Sequence, residues 1–374
     1  MRIAVVILNW NTRDYLRKFL PGLCRSAEAL GKDAVGRPLA EVIVADSAST
    51  DGSLAMLAEE FPDVRTVALD SNYGFTGGYN KAFETILDYP DAPEYIVLIN
   101  SDIEVDEDWL GPLVAWMDAH PACGACGPKL HALVPDGDGF RRSDAFEYAG
   151  AAGGYIDLFG YPFCRGRVPG RTCEDKGQYD TPADVLWVSG ACLMTRASLW
   201  RELVGLDSRF FAHMEEIDYC WRLALKGCSV TMVPESIVWH IGGGTLPQTS
   251  PWKLQLNYRN NLLLLDNNLK PTYIARGDSP SIAGFKAGAM IFLRMLLDGG
   301  SALVYLLQGK KDAFGAVWKA HREFRSLRSS APLSRDFYPA TRVGGYKNIC
   351  IILQSALRGD AIFAYLDKRY EDSH

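Results

Sequence analysis

Long apolar runs are missing from this sequence of 374 residues. The most apolar stretch, 287–307, is interrupted by Arg294 and Asp298, whereas a helix that spans a bilayer needs about 20 consecutive apolar residues. The first residues do not have the pattern of a signal peptide either, because the apolar start gives way to polar residues from Asn9 onward. These two absences predict a cytoplasmic protein without membrane-spanning helices.

The sequence lacks the motifs of several common kinds of binding site. The nine cysteines have no regular spacing. The only CxxC pair, Cys123 and Cys126, lacks the second ligand pair of a structural zinc site, so we expect free, buried thiols. A formal net charge of −6 argues against general nucleic-acid binding. The GxGxxG fingerprint of dinucleotide-binding folds does not occur.

What the sequence does contain is a regular alternation of apolar runs and helical patterns in its first hundred residues. This alternation predicts a mostly parallel α/β sheet flanked by helices. Ligands of such sheets bind beyond the carboxyl ends of the strands. The predicted strands are 3–8, 41–45, 64–69 and 95–99, and the predicted helices are 15–30, 53–61 and 79–87.

Polar or glycine-rich segments follow the predicted strands where they end. Asn9 and Asn11 follow the first strand, and Asp46 follows the second. A glycine-rich turn at 74–78 precedes the third helix, and the fourth strand runs into the segment 100–102. Because these ends meet at one edge of the sheet, the sequence predicts a binding site there. For Asp46, a place in the cap region of the next helix is the alternative to ligand binding.

Eight short motifs occur in a fixed order along the chain: ILNWN, VADSASTDGS, SNYGFTGGYN, INSD, WVSGACLMTR, FFAHMEEIDYCWR, VWHIGGGT and YRNN. Over 3–265 the chain thereby resembles the family 2 inverting glycosyltransferases, in particular the bacterial branch of rhamnosyltransferases that assemble cell-surface polysaccharides. The resemblance implies the GT-A fold, a UDP- or dTDP-sugar donor such as a rhamnose donor, a divalent metal (Mg or Mn), and inversion at the anomeric carbon. The implied acceptor is a glycan or lipid-linked glycan.

The resemblance also assigns residues to the donor. It implies that Asp46 binds the base, and that Asn100 replaces the first acid of a DxD motif, which leaves Asp102 as the metal ligand. His240 corresponds to a second metal ligand or a diphosphate contact, although a lone histidine is more often structural. The full set expected to bind the donor is Asn9, Asn11, Asp46, Gly74, Gly78, Asn80, Asn100, Asp102 and Gly190.

An acidic cluster at 215–218 is the predicted source of the catalytic base. Inverting transfer needs a base that takes the proton of the acceptor hydroxyl. The match to the family places this base at Glu216, with Glu215 and Asp218 as competitors. The alternative is an acidic helix start favoured by the helix dipole. Because Asn100 replaces an acid, a catalytically degenerate sugar-binding or assembly subunit of a polysaccharide pathway is the alternative function.

The C-terminal part differs in character. We predict a catalytic domain over 1–250, with a long irregular region over 132–183, and a helical extension over 251–374. An apolar stretch is followed by 309–328, where six lysine or arginine residues against two acidic ones give a net charge of +4. This pairing suits peripheral membrane contact through 283–328. A homodimer interface or a helical cover of the sheet is the alternative.

Overall fold

The computed structural model of the protein describes residues 1–242, 250–328 and 343–371. Its strands are β1 (Ile3–Asn9), β2 (Ala40–Asp46), β3 (Arg65–Ala68), β4 (Tyr95–Ile99), β5 (Ile103–Val105), β6 (Cys123–Asp136), β7 (Gly139–Phe146), β8 (Gly154–Ile156), β9 (Pro162–Cys164), β10 (Arg167–Val168), β11 (Arg171–Thr172), β12 (Ala183–Val185), β13 (Cys192–Arg196) and β14 (Ser229–His240).

Within the described ranges, the helices are α1 (Arg13–Ala29), α2 (Ser53–Glu60), α3 (Gly74–Leu87), α4 (Leu110–Ala119), α5 (Ala197–Glu202), α6 (Glu215–Leu225), α7 (Pro251–Ala275), α8 (Pro280–Leu307), α9 (Lys311–Arg328), α10 (Ile351–Arg358) and α11 (Ile362–Glu371). A 3-10 turn at Gly359–Ala361 joins the last two.

One mixed sheet organises the chain, with strand order β12-β14-β6-β13-β4-β1-β2-β3, while β5 pairs with β14 and β7 with β6. Strands β3, β2, β1 and β4 are parallel neighbours, and β13 pairs antiparallel with β4. Alternate residues of β1 enter two separate cores, since Val6 packs in one and Val5 in the other. Both faces of the sheet are therefore covered, as its continuous apolar strands predict.

The region 132–183 corrects one expectation. It is not a long irregular segment, because β6 and β7 extend into it and β8 to β11 form a separate four-stranded sheet. These four strands have two or three residues each, which is too short to show a period in the sequence. Gly160 and Gly166, both at positive φ, lie in the turns between them.

The glycine-rich segment 74–78 is a second correction. It is not a turn before a helix, because α3 already begins at Gly74. The close approach of the helix to the sheet explains the glycines. A Cβ on Gly78 would lie 2.8 Å from the Leu8 side chain on β1.

The predicted C-terminal helices are present and contact the sheet domain directly. Helix α7 packs on α6, α8 and α9. The indole of Trp221 on α6 donates a hydrogen bond to the Thr272 hydroxyl on α7, at 2.9 Å. The boundary at 250 stays a prediction, but the side chains of α7 belong to the same core as the sheet.

Candidate active site

A cavity of about 970 Å³ lies at the carboxyl ends of the parallel strands. Trp10 and Ser47, which follow β1 and β2, line it together with 100–102 beyond β4. Residues of α6, α7, α8 and α10 line other parts of its wall. The polar strand ends therefore meet at one cavity, as the order of strands and helices predicted.

Asp102, His240 and Glu147 form a buried charged cluster in this cavity. Oδ1 of Asp102 lies 3.2 Å from Nε2 of His240, and Oε2 of Glu147 lies 3.6 Å from its Nδ1. Nδ2 of Asn100 lies 3.4 Å from the same Nε2. The imidazole is thus held between two carboxylates, one at each ring nitrogen.

The charges within this cluster change the pKa of His240 and the pKa of Asp102. Burial alone lowers the pKa of His240, but the carboxylates of Asp102 and Glu147 outweigh it and raise that pKa to about 10. Burial alone raises the pKa of Asp102, but the neighbouring His240 outweighs it, so this pKa lies below its ordinary value. In the absence of a cation, the pair is therefore an imidazolium beside a carboxylate.

The Asp102–His240 pair fits one side of a divalent cation site. With metal–ligand bonds of about 2.0–2.2 Å, two adjacent ligands lie about 3 Å apart, close to the observed 3.2 Å. Glu147 at the other ring nitrogen matches the carboxylate that orients many metal-binding histidines. Within the described ranges, no group of three or more candidate ligands occurs, so the diphosphate of a donor and water would supply the remaining oxygens.

The acidic cluster opens helix α6 on another wall of the cavity. Glu215 and Glu216 line the cavity, and Oε2 of each is buried without a hydrogen-bond partner among the residues that the structure describes. Burial raises the pKa of Glu216 to about 7, against the opposing effect of backbone N–H groups at the helix start and at Gly190. Burial and the charge of Glu216 raise the pKa of Glu215 well above its ordinary value. A carboxyl that titrates near neutral pH suits a general base.

Asp218 has different surroundings from the other two acids. Its carboxylate accepts a hydrogen bond from Arg222 Nε at 2.8 Å. The side-chain amides of Asn267 and Asn268 on α7 donate to its other oxygen, at 2.9 and 2.8 Å. Asp218 is fully buried and does not line the cavity. The structure therefore places this competitor in a structural ion pair within α6 that also accepts hydrogen bonds from α7.

A strained loop brings the two glutamates to the cavity. Phe211, His213 and Met214 adopt φ values of 65°, 72° and 75°, a region that non-glycine residues rarely adopt. The side-chain amide of Asn260 on α7 lies 2.7 Å from the Ala212 carbonyl oxygen and 2.8 Å from that of His213. The amide thereby stabilises the loop, and such strain is typical of functional sites.

Asp46, which was predicted to bind the base, forms a network behind the cavity wall with two other predicted donor-binding residues, Asn9 and Asn11. Asn9 Nδ2 donates to Asp46 Oδ2 at 2.6 Å, and the Ser49 backbone N–H donates to Asp46 Oδ1 at 2.9 Å. The Thr50 N–H donates to Asn11 Oδ1 at 2.7 Å. Asp46 is 0% exposed and does not line the cavity. These three predicted residues connect the two loops that carry Trp10 and Ser47 into the cavity.

The remaining predicted residues divide into two groups. Gly74 lies at the start of α3 and lines the cavity, and Gly190 lines it beside Glu216. Gly78 packs on the sheet, and the Asn80 side chain binds both backbone groups of Leu206, so neither lines the cavity. The predicted motif after His240 extends into 243–245, which lie outside the described residues.

Two residues of the site, Glu147 and Asn260, were not predicted from the sequence. Glu147 lies directly after β7, in the region expected to be irregular. The only signal for Asn260 is its place in the YRNN motif, which gave no hint of the loop that it supports.

Comparison with known proteins agrees with this geometry. Residues 4–170 match the family described as glycosyl transferase family 2. An N-acetylglucosaminyl-diphospho-decaprenol L-rhamnosyltransferase of Mycobacterium tuberculosis is 26% identical over 245 residues, which cover 64% of this chain and 75% of that protein.

Two solved structures share the fold. GalNAc-T7 in complex with UDP, GalNAc and Mn²⁺ is 16% identical with a TM-score of 0.52, and the match covers 76% of this chain and 54% of that chain. TarS 1-349 of S. aureus in complex with UDP-GlcNAc is 14% identical with a TM-score of 0.50, and covers 87% of this chain and 82% of that chain. The chain spans about half of the first structure. Together with the sheet, the cavity and the motifs, these matches support a family 2 glycosyltransferase with the GT-A fold, similar to rhamnosyltransferases.

Proposed function

We propose that this enzyme transfers a sugar such as rhamnose from a UDP- or dTDP-linked donor to a lipid-linked glycan, with inversion and with the help of a divalent cation. One observation carries the proposal. A carboxylate that titrates near pH 7, Glu216, lines the same cavity as the buried pair Asp102 and His240. A base and a diphosphate site in one cavity are the two parts that inverting sugar transfer requires.

The diphosphate end of the donor belongs at the Asp102–His240 pair and the start of α3. Backbone N–H groups at a helix start favour anions, and Gly74 places the start of α3 in the cavity wall. A cation held by Asp102 and His240 would neutralise the charge that develops on the leaving nucleoside diphosphate. GalNAc-T7, which shares the fold, has been solved with UDP and Mn²⁺, and this supports the same donor chemistry here.

The acceptor hydroxyl belongs beside Glu216. Oε2 of Glu216 takes the proton of this hydroxyl, and the hydroxyl oxygen then forms a bond to the anomeric carbon. The bond from that carbon to the diphosphate breaks on the opposite side, so the configuration inverts. Burial and the charge of Glu216 raise the pKa of Glu215 well above its ordinary value, and the match to the family places the base at Glu216.

The lipid-linked acceptor rests on two supports. The M. tuberculosis relative is named for a diphospho-decaprenol acceptor. The cavity of about 970 Å³ extends from Asp102 to α8 and α10, and pockets for drug-sized ligands have about 300–1,000 Å³. A cavity at the upper end of this range has room for a donor and for the sugar end of an acceptor.

A panel of nucleotide-sugars with and without Mn²⁺ tests the donor. A donor at about 100 times its Kd stabilises the protein by about 2.7 kcal/mol, which a thermal shift detects. We expect UDP- or dTDP-sugars to raise Tm more in the presence of Mn²⁺, and Asp102→Ala to abolish the metal-dependent part. A panel in which no nucleotide-sugar shifts Tm, with or without metal, contradicts the proposal.

A further inference from the structure

Helix α8 exposes many large apolar side chains to solvent, which is unusual for a helix of a water-soluble protein. Amphipathic helices usually bury their large apolar side chains and expose their charges. Here the exposed side carries Ile282, Phe285, Phe292, Leu293, Leu296, Leu297, Leu303, Val304, Leu306 and Leu307. Phe292 is 65% exposed, Leu296 57% and Leu307 88%. We refer to these ten side chains as the α8 face.

The buried side of α8 contains an ion pair beside Ile291 and three alanines. Arg294 Nε donates to Asp298 Oδ1 at 2.8 Å, and both side chains are buried. Nε2 of His321 on α9 lies 3.4 Å from the other Asp298 oxygen. The Arg294 guanidinium stacks on the Tyr161 ring, with 3.7 Å between Cζ and the ring centroid. These contacts, together with the packing of Ala287 and Ile291 in the core, attach the helix to the protein body, while the ten side chains of the α8 face stay exposed.

By length and composition alone, α8 is apolar enough to cross a membrane, which the interrupted sequence did not predict. The buried Arg294–Asp298 pair and the packing on α7 and α9 argue that it lies along the body instead. Its 28 residues extend over about 42 Å at 1.5 Å per residue. An apolar strip of this length on one side of a helix is typical of helices that lie in the plane of a membrane surface.

Positive charge borders the end of this strip. Lys310 and Lys311 lie at the junction of α8 and α9, and both are exposed. The segment 309–328 carries a net charge of +4 on a chain of −6. In a two-fold contact through the α8 face, the basic segments of both copies would border the same interface, where their like charges oppose association. An anionic lipid surface complements both the apolar strip and its basic border.

The buried side of α8 and the helix α10 also border the active-site cavity. Arg294 and Ser301 of α8 and Ile352 of α10 line the cavity. Ile352 is 44% exposed, and Leu353 and Leu357 of the same helix are exposed as well. The part of the cavity away from the diphosphate site is therefore bordered by the two helices that carry exposed apolar side chains.

We propose that the α8 face, together with the exposed apolar side chains of α10, lies on an anionic lipid bilayer and orients the cavity toward it. The purpose of this membrane contact rests on the proposed function, in which the acceptor is lipid-linked. A lipid-linked acceptor would keep its hydrocarbon chain in the bilayer while its sugar end reaches Glu216. The membrane contact itself rests on the α8 face and its basic border.

Flotation of the purified full-length protein with lipid vesicles tests the contact without any transfer reaction. We expect the protein to float with vesicles of phosphatidylglycerol and phosphatidylethanolamine, and poorly with vesicles of phosphatidylcholine. The double variant Phe292→Gln/Leu296→Gln should lose flotation, since it removes apolar area without adding charge. The matched control Val35→Gln/Leu54→Gln removes two exposed apolar side chains far from α8 in the sequence, and it should float like the wild type.

Charge and apolar area contribute separately to binding. Each lysine near an anionic surface adds roughly fivefold to the affinity, so Lys310→Ala/Lys311→Ala should weaken binding at low salt by about 20- to 30-fold. High salt should reduce this difference. Thermal unfolding of each variant shows whether its fold is retained, because all four side chains are exposed.

Two results overturn the proposal. One is wild-type protein that does not float with anionic vesicles at low salt. The other is a dimer in analytical ultracentrifugation that Phe292→Gln/Leu296→Gln dissociates, which would assign the α8 face to contact between copies. A protein that floats as expected but transfers no sugar would contradict the proposed function alone.

Discussion

Replacing Glu216 by Gln tests the base with little change in shape. The amide occupies the same space but cannot accept a proton from the acceptor hydroxyl. Loss of a general base costs about 10²–10⁴ in rate, which corresponds to about 3–5 kcal/mol in the activation barrier. Donor affinity should remain close to wild type, because Asp102 and His240 form a separate pair. Measuring kcat at saturating donor, with donor Kd by calorimetry, separates the two effects.

The pKa of Glu216 adds a second, independent readout. The pKa is about 7 in the folded protein and about 4.5 in the unfolded chain. Between these values the unfolded chain binds fewer protons, so this carboxyl lowers the stability of the fold as pH rises through this window. The full effect above pH 7 is on the order of 3 kcal/mol. Glu216→Gln removes this effect, so we expect the inactive variant to be more stable than wild type near pH 8 and about equal near pH 4.

Asp218→Asn provides the contrast on the same helix. The change removes the partner of the buried Arg222, and breaking a buried ion pair costs about 3–5 kcal/mol. We therefore expect Asp218→Asn to be less stable in urea unfolding, whereas Glu216→Gln is more stable. The wild-type rate should fall tenfold per pH unit below about pH 7. Near-normal transfer by Glu216→Gln, with transfer abolished in Glu215→Gln, would refute the assignment of the base.

Three further predictions concern the donor end of the cavity. Asp102→Ala should abolish the tightening of donor binding by Mn²⁺ and His240→Ala should weaken it, and calorimetry showing unchanged Mn²⁺ dependence in both excludes a metal role. Glu147→Gln should weaken Mn²⁺-dependent donor binding by about 10- to 100-fold through loss of its contact with the His240 ring, while the affinity for UDP without metal stays unchanged; equal losses with and without metal would indicate a general structural defect. Asp46→Ala should weaken binding of UDP and dTDP without metal by loosening the loop that carries Ser47, and a variant that binds both like wild type would limit Asp46 to a structural role.

The sequence predicts the parts of the fold that consist of long, regular patterns. Strands β1, β2 and β4 are continuous apolar runs because helices cover both faces of the sheet, and their ends could be located to within a residue or two. Two of the residues predicted beyond the strand ends, Asp102 and Gly74, line the cavity as expected. Asp46, a third such residue, lies behind its wall, since a strand end specifies an edge of the sheet but not the direction of one side chain.

Short elements and contacts distant in sequence could not be predicted. Glu147 reaches His240 only because β7 pairs with β6 and β6 with β14, an order of strands that single patterns do not contain. The three acids of α6 illustrate the same limit. Asp218 and Arg222 are four residues apart, a spacing that favours a pair on one helix. This spacing could have excluded Asp218 as the base, whereas the choice between Glu215 and Glu216 needed their surroundings.

The support that Asn260 gives to the strained loop has a consequence for the order in which the enzyme is completed. During synthesis, Phe211, His213 and Met214 leave the ribosome well before Asn260. Left-handed backbone at each of these residues costs on the order of 1–3 kcal/mol, and the amide of α7 contacts the carbonyl oxygens between them. We therefore expect a nascent chain that has formed the sheet to lack a positioned Glu216, and hence transfer activity, until α7 emerges and docks.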